Sequence, residues 1–445
     1  GHTKAAAGAA GLFKAVMALH HKVLPPTIKV TRPNPALQLE TTPFYISTRS
    51  RPWIRGSAHP RRAGVSSFGF GGSNFHLAVE EYTGANPAAR LRTLPSELVT
   101  FSGTTVADVI TAVQAARDGL QAGSLQHLAN VSIGSGGPCR LAVVASDEDD
   151  LGRKLDQALA HLRKSPDTAL QTPTGISWAQ GADPGSVAFL FPGQGSQYLE
   201  MGGALAMAFD AARAVWDTAA DVTHPVHPVV FPLPRFDQAA TDADLAALTR
   251  TEWAQPAIGV ASLASLALLK DLGVKPATVG GHSFGEITAL HAAGALSLAD
   301  ALAVARTRGE LMAEAAALPG AMAALPTDIE TVREVLEGLD GKAVVANHNA
   351  PTQVVISGPT ADVERAMAAF VERGIEPKRL NVATAFHSEV VAGSCGPFRK
   401  ALDKVEVDAP MLPVWANSEA APYPTSVDAI RELLAGQIAR PVRFV

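Results

Sequence analysis

The chain has 445 residues, enough for two to four domains at about 100–200 residues per domain. Hydrophobic residues make up 47% and charged residues 18%, which excludes a disordered chain. The net charge of −5 argues against nucleic acid or a membrane surface as the partner. Two cysteines, Cys139 and Cys395, exclude a disulfide scaffold and a cysteine-rich metal site, so we expect a reducing cytoplasm.

The first part of the chain, to about residue 81, predicts a helix, an extended strap and a glycine turn. Apolar residues at helical spacing favour a helix over Ala5–His21. Prolines between positions 25 and 35 then exclude a helix. The glycines of FGFGGSNFH at 68–76 suit a tight turn before an apolar strand at Leu77–Val79.

Residues from about 85 to 185 predict a compact α/β unit without a catalytic cluster. The strands are expected at Glu97–Ser102 and Cys139–Ala145, and the helices at Val106–Leu120 and Asp147–Lys164. A polar connector with glycine and proline follows at 171–184.

The remaining chain predicts strands that lead into glycine turns. A strand at Val187–Phe191 precedes PGQGSQ, and one at Thr278–Gly280 precedes GHSFG at 281–285 and a helix at Glu286–Ala293. A second small α/β unit is expected over 320–384. Its predicted helices are Ile329–Glu337 and Ala361–Glu372, and its predicted strands are Met322–Leu325, Ala343–Asn347, Gln353–Ser357 and Lys378–Leu380.

The sequence GHSFG fits the pattern G-x-S-x-G between a strand and a helix. Such a turn exposes the serine oxygen, and the amino end of the helix offers N–H groups to a developing oxyanion. Ser283 is therefore a candidate nucleophile. The alternative is a serine that only caps a helix in a glycine-rich turn.

A nucleophilic serine needs a base, and we select His387 because it begins a new segment after the small α/β unit. The alternative is a solvated loop histidine. SLAD at 297–300 predicts the start of a helix, and Arg308 falls on or beside the apolar stripe of that helix. An arginine there is suited to binding a carboxylate, and the alternative is a snorkelling surface arginine.

The loop GQGSQ at 193–197 suits either a phosphate cradle or an oxyanion hole. It is not a P-loop, because no Gly-Lys-Ser/Thr follows. The glycines after Phe68 lead into a strand and not a helix, which excludes a dinucleotide fingerprint. Cys395, eight residues after His387, is interpreted as inert, and no cluster has metal-ligand spacing.

Together these motifs resemble a known family. Residues 186–445 look like the acyltransferase domain of a polyketide synthase, related to malonyl-CoA:acyl-carrier-protein transacylases, through FPGQGSQ, GHSFGE, Arg308, FHS at 386–388, and Gln437 before PVRF. Residues 1–80 resemble the end of a ketosynthase through GHTKAAAG and GVSSFGFGGSN. Residues 81–185 fall where this family carries a linker domain.

The resemblance implies a fold and a set of roles. The fold is α/β, with an α/β-hydrolase-like large subdomain, an inserted ferredoxin-like small subdomain at about 320–384 and a preceding α/β linker domain. The implied roles are Ser283 as nucleophile, His387 as general base and acid, Arg308 as carboxylate partner, backbone N–H groups of Gln194 and Phe284 as oxyanion hole, the backbone carbonyl of Gln437 as histidine-orienting group, and His282, Thr384 and Phe386 as substrate contacts.

The implied reaction loads malonyl from malonyl-CoA onto an acyl carrier protein. No cofactor or metal is expected, because the partner carries the phosphopantetheine. TAFH at 384–387 favours malonyl over methylmalonyl, because Phe386 would crowd an α-methyl group. His2 matches a catalytic histidine of the ketosynthase, but the resemblance places the nucleophilic cysteine and the other catalytic histidine upstream of this sequence, so we expect no condensation by this chain alone.

Other domains of the same synthase are expected partners. The GHTK opening and Phe284 after the serine resemble iterative synthases of the enediyne or polyunsaturated-fatty-acid type. Two alternatives stay open at this point. One is a serine hydrolase or thioesterase of related fold, and the other is a non-catalytic docking fragment.

Overall fold

The structure is a computed structural model that describes residues 2–86, 88–90, 94–132, 136–181, 185–222, 224–315, 319–380, 382 and 384–445. Gly1 of the ketosynthase-like opening lies outside these residues. The chain forms two compact units. The first contains Gly1–Arg90 and Val187–Val445, and the second contains Leu91–Ser186.

The amino-terminal part of the first unit has one helix and two antiparallel pairs of strands. The predicted helix forms, after a 3-10 turn at Lys4–Ala6, and the glycine turn joins two antiparallel strands where one was predicted. The elements are α1 (Ala7–His21), β1 (Val23–Leu24), β2 (Arg51–Pro52), β3 (Arg62–Phe68) and β4 (Asn74–Glu80), with short 3-10 turns at Pro35–Leu37 and Leu39–Thr41.

The described residues of the second unit form a four-stranded antiparallel sheet, in the order β5-β6-β8-β7, with three helices. Its elements are β5 (Glu97–Gly103), α2 (Val106–Asp118), α3 (Ser124–Val131), β6 (Cys139–Ala145), α4 (Glu148–Lys164), β7 (Leu170–Gln171) and β8 (Ile176–Gln180). Thr105 and Asp108 form a capping box that fixes the start of α2. Alternating burial along β6 shows that one sheet face covers the core.

In the described part of the large subdomain of the first unit, a strand comes first and five helices follow before the next strand. These elements are β9 (Ala188–Phe191), α5 (Gly203–Ala208), α6 (Asp210–Ala219), α7 (His227–Val230), α8 (Gln238–Thr249), α9 (Thr251–Asp271), then β10 (Thr278–Gly281), α10 (Gly285–Ala292) and α11 (Leu298–Ala315). Strand β10 pairs in parallel with β9 and is almost fully buried. Its glycine turn therefore opens at the carboxyl edge of a covered sheet, where ligand sites of such sheets lie.

The small subdomain has the βαββαβ order of a ferredoxin-like fold. It contains β11 (Ala321–Leu325), α12 (Ile329–Glu337), β12 (Val344–Ala350), β13 (Gln353–Gly358), α13 (Thr360–Glu372) and β14 (Lys378–Arg379). The four strands lie in the order β14-β11-β13-β12. This subdomain has an apolar core of its own, distinct from that of the large subdomain.

The last segment returns to both subdomains. Its elements are a 3-10 turn at Glu389–Ser394, α14 (Cys395–Leu402), β15 (Val414–Ala416), β16 (Ala421–Pro422), α15 (Val427–Gly436) and β17 (Val442–Arg443). Strand β15 extends the large sheet beside β10, and β17 pairs in parallel with β12 of the small sheet. The α/β fold with two subdomains and a preceding α/β unit, as predicted, is confirmed. Among the described residues, no helix combines the length and the apolar character needed to cross a membrane.

Candidate active site

Ser283 occupies the turn between β10 and α10. Its φ of +51° is a left-handed conformation that side chains other than glycine rarely adopt. Both flanking glycines are needed, because a Cβ on Gly281 would collide with the backbone of Gly285, and a Cβ on Gly285 would collide with the carbonyl of Phe191. The turn makes the Oγ of Ser283 project from the backbone, as the G-x-S-x-G pattern predicted.

His387 lies against Ser283, with 2.8 Å between its Nε2 and the serine Oγ. Its Nδ1 is 2.9 Å from the carbonyl oxygen of Arg440 and 3.2 Å from that of Gln437. Carbonyl oxygens only accept hydrogen bonds, so Nδ1 carries the proton and Nε2 is free to accept one from the serine. Burial, followed by the charge of Arg308, lowers the pKa of His387 to about 3.

Arg308 projects from α11 towards the same pair and is 1% exposed. Its guanidinium donates to Gln255 Oε1 and to Gln437 Oε1, each at 2.9 Å, and to Ser283 Oγ at 3.3 Å. Burial lowers the pKa of Arg308 to about 10, and the group still carries its charge at neutral pH. The surface-arginine alternative is therefore wrong.

The expected oxyanion donors, the backbone N–H groups of Gln194 and Phe284, make no hydrogen bond to any described residue. A hydrogen bond from Thr251 holds the Gln194 side chain, because the Oε1 of Gln194 accepts from Thr251 Oγ1 at 2.7 Å. A Cβ on Gly193 would meet the carbonyl oxygen of His282, so the two loops approach closely. The Phe284 ring is buried in the core against Gly259, away from the nucleophile.

A cavity of about 240 Å³ joins these groups. Of the expected substrate contacts, His282 and Phe386 line it together with Arg308, whereas Thr384 is fully buried and is not among the described lining residues. His282 Nε2 donates to Asn349 Oδ1 at 2.7 Å. The described lining residues are Gln194, Gly195, Gln197, Thr249, Gln255, His282, Ser283, Arg308, Met312, Met322, Asn347, Asn349, Val355, Leu380, Val382, Phe386 and His387.

Sequence reasoning missed Asn417, which follows β15 and clasps the serine turn. Its Oδ1 accepts from the Ser283 N–H at 2.6 Å, and its Nδ2 donates to the Gly281 carbonyl at 2.8 Å. Its own N–H donates to Glu286 Oε1 at 2.5 Å, and Tyr423 donates to the other oxygen of that carboxyl group. No local pattern marks Asn417, because it lies 134 positions from Ser283.

Gln255 and Thr251 were also missed. Both lie on the buried face of α9, and Gln255 Nε2 donates to Thr251 Oγ1 at 2.9 Å. Polar residues within an apolar helix stripe are a weak signal on their own. Their partners, Gln194 and Arg308, come from other segments, so only the folded chain shows what they contact.

Comparison with known proteins identifies this class of site. The family described as the acyl transferase domain matches residues 188–444. The C-terminal domain of β-ketoacyl synthase matches 1–31, and the ketoacyl-synthetase C-terminal extension matches 33–134. The chain therefore belongs to the acyl transferase domain family and carries the C-terminal part of a ketosynthase before it.

Some curated relatives match the whole length of this chain. The polyketide synthase GfsB of Streptomyces halstedii is 34% identical over 100% of this chain and 8% of its own length. A polyunsaturated fatty acid synthase polypeptide of Thraustochytrium sp. is 30% identical over 100% of this chain and 17% of its own length. The chain thus spans less than a fifth of these two relatives.

Solved structures show the same fold. The acyltransferase domain of an iterative polyketide synthase in enediyne biosynthesis is 30% identical, with a TM-score of 0.61, and the match covers 79% of this chain and 82% of that one. The acyl-carrier-protein S-malonyltransferase of Bartonella henselae is 36% identical, with a TM-score of 0.53, over 58% and 82%. The predicted enzyme class, an acyltransferase, is confirmed.

Proposed function

We propose that this chain transfers malonyl from malonyl-CoA to the phosphopantetheine thiol of an acyl carrier protein through a malonyl-Ser283 intermediate. The observation that carries the proposal is a buried, charged Arg308 in the same cavity as a hydrogen-bonded Ser283–His387 pair. An acyl group with a free carboxylate pairs with the guanidinium, and one without it leaves the charge unpaired. The malonyltransferase relatives support the same substrate class.

The acylation step uses groups already in place. His387 Nε2 takes the proton of Ser283 Oγ, which attacks the thioester carbonyl carbon. The backbone N–H groups of Gln194 and Phe284 stabilise the oxyanion. The carbon–sulfur bond then breaks, and the CoA sulfur leaves with the proton from His387. The backbone carbonyls that hold Nδ1 keep the ring in one tautomer, the role a carboxylate has in a Ser-His-Asp triad.

The second half repeats these steps with the carrier thiol as the nucleophile. His387 removes the thiol proton, the sulfur attacks the serine ester, and Ser283 Oγ regains the proton. The reaction as proposed draws on no metal or organic cofactor of this chain. Phe386 in the cavity wall favours malonyl over methylmalonyl, and the carrier protein and further synthase domains are the proposed partners. The cytoplasmic location stays a prediction.

Labelled malonyl-CoA and acetyl-CoA test the proposal. We expect the wild-type protein to retain one malonyl group, to prefer malonyl over acetyl, and to pass the label to a phosphopantetheinylated carrier protein. Ser283→Ala acquires no label. Release of free malonate without transfer would support the hydrolase alternative, and absence of any acyl-enzyme would support the docking fragment. Label on Ser283→Ala would show that the nucleophile is another residue.

A further inference from the structure

Among the described residues, all hydrogen-bond acceptors of Arg308 are neutral. Its described hydrogen bonds end on the amide oxygens of Gln255 and Gln437 and on the hydroxyl of Ser283. Gln255 is 0% and Gln437 is 1% exposed, so water does not replace either contact. No described carboxylate lies within ion-pair distance of this guanidinium.

The acid whose charge acts on Arg308, Glu286, is engaged elsewhere. One of its oxygens accepts from the Asn417 N–H and the other from the Tyr423 hydroxyl. Burial raises the pKa of Glu286 to about 7, so near neutral pH this carboxyl group is uncharged in a fraction of the molecules. Arg308 therefore lacks a full counter-ion in direct contact.

A buried charge without a counter-ion is costly, and a carboxylate that enters the cavity relieves that cost. A glutamate at either amide position would compete with this carboxylate for the same N–H groups. We propose that Gln255 and Gln437 are specificity-determining residues, which anchor Arg308 through neutral amide oxygens and thereby reserve its charge for the carboxylate of the acyl group. This inference rests on the function proposed above.

Gln437→Glu is the sharper of two test variants. The Nε2 of Gln437 has no hydrogen-bond partner among the described residues, so its replacement by oxygen breaks no existing contact. The backbone carbonyl that meets His387 is retained. Gln255→Glu tests the other amide, although it removes a hydrogen bond to Thr251. Gln197→Glu is the matched control, because Gln197 lines the same cavity and bonds to the Gly195 N–H, not to Arg308.

The measured quantity is the ratio of kcat/KM for acylation by malonyl-CoA to that by acetyl-CoA. We expect this ratio to fall at least about tenfold in Gln437→Glu and in Gln255→Glu, because the new carboxylate occupies Arg308. It stays within about threefold of wild type in Gln197→Glu. A glutamate near His387 also changes the base, but that effect acts on both substrates and cancels in the ratio.

Binding gives a second readout that does not depend on catalysis. In the Ser283→Ala background, we expect Gln437→Glu to weaken the binding of malonyl-CoA about tenfold, as measured by calorimetry. The affinity for acetyl-CoA should change by less than about twofold. Unchanged ratios in both experiments would overturn the inference while malonyl loading by the wild-type protein keeps the proposed function intact. A fall of the malonyl-to-acetyl ratio of equal size in Gln197→Glu would also overturn the inference, because any negative charge added to the cavity would then lower the preference for malonyl. No loading by the wild-type protein would instead reject the proposed function.

Discussion

Arg61 and Arg308 are the two most deeply buried arginines among the described residues of the first compact unit, and their partners differ in charge. Arg61 is 2% exposed and contacts two carboxylates, Glu81 at 2.9 Å and Asp217 at 2.7 Å. Arg308 is 1% exposed and contacts only neutral oxygens among the described residues. Asp217 lies on α6, so Arg61 links the amino-terminal segment to the large subdomain.

The difference separates a cation paired within the fold from the cation that the proposed function assigns to the substrate. Burial alone would raise the pKa of Glu81, but hydrogen bonds and the charge of Arg61 bring it down to about 2, so this group of charges is compensated. The charge of Arg308 instead acts on the catalytic pair and helps to lower the pKa of His387. Arg61 therefore has its acids in place, whereas Arg308 has no described acid in contact and is available to the carboxylate of the proposed substrate.

The largest expected effect concerns stability. Arg61→Met removes the almost fully buried cation that Glu81 and Asp217 share, while Arg55 and Lys22 still pair with Glu81. We expect the free energy of unfolding to fall by about 3 kcal/mol in chemical denaturation, at the low end for a broken buried ion pair. Arg62→Met is the control, because Arg62 pairs with Glu80 on the surface and should cost less than about 1 kcal/mol. The malonyl-to-acetyl ratio should not change in either variant. An equal loss in both would contradict the structural role of Arg61.

Arg308→Met should reverse this pattern. We expect malonyl acylation to fall about 100-fold, because the charge-assisted contact is worth about 2–3 kcal/mol, and acetyl acylation to change much less. The loss of unfolding free energy should be smaller than in Arg61→Met, since no acid is left unpaired. Arg306→Met is the control on the same helix, where Arg306 stacks over Trp253 and pairs with Glu310. A retained malonyl preference in Arg308→Met would remove its assigned role.

Asn417→Asp tests the clasp under the nucleophile with a smaller expected effect. The new carboxylate still accepts from the Ser283 N–H, but it faces the Gly281 carbonyl with an oxygen in place of a donor. We expect acylation to slow about tenfold to thirtyfold, equally for malonyl and acetyl, because the loss of about 1–2 kcal/mol affects the turn and not Arg308. Asn130→Asp, exposed on α3, serves as the control. A selective loss of malonyl would place Asn417 in substrate recognition instead.

The sequence allowed prediction of those parts of the site that depend on local geometry. The turn around Ser283 follows from two glycines between a strand and a helix, and the bounds of α12 agree with the prediction at both ends. His387 was selected by its position and by family resemblance. Asn417, Gln255 and the side chain of Gln437 were not foreseen, because each acts on a residue more than 50 positions away.

The smallest expected effect is a nearly flat pH profile in the wild-type protein. Burial and the charge of Arg308 lower the pKa of His387 to about 3, so protonation disables the base only as the pH falls towards that value. We expect kcat/KM for acylation to change less than about threefold between about pH 8 and about pH 5, without a limb at the ordinary histidine pKa. The Arg308→Met variant lacks one cause of the lowered pKa, so its acid limb should lie at higher pH. A wild-type limb near about pH 6.5 would show that His387 is hydrated and that Arg308 does not act on it.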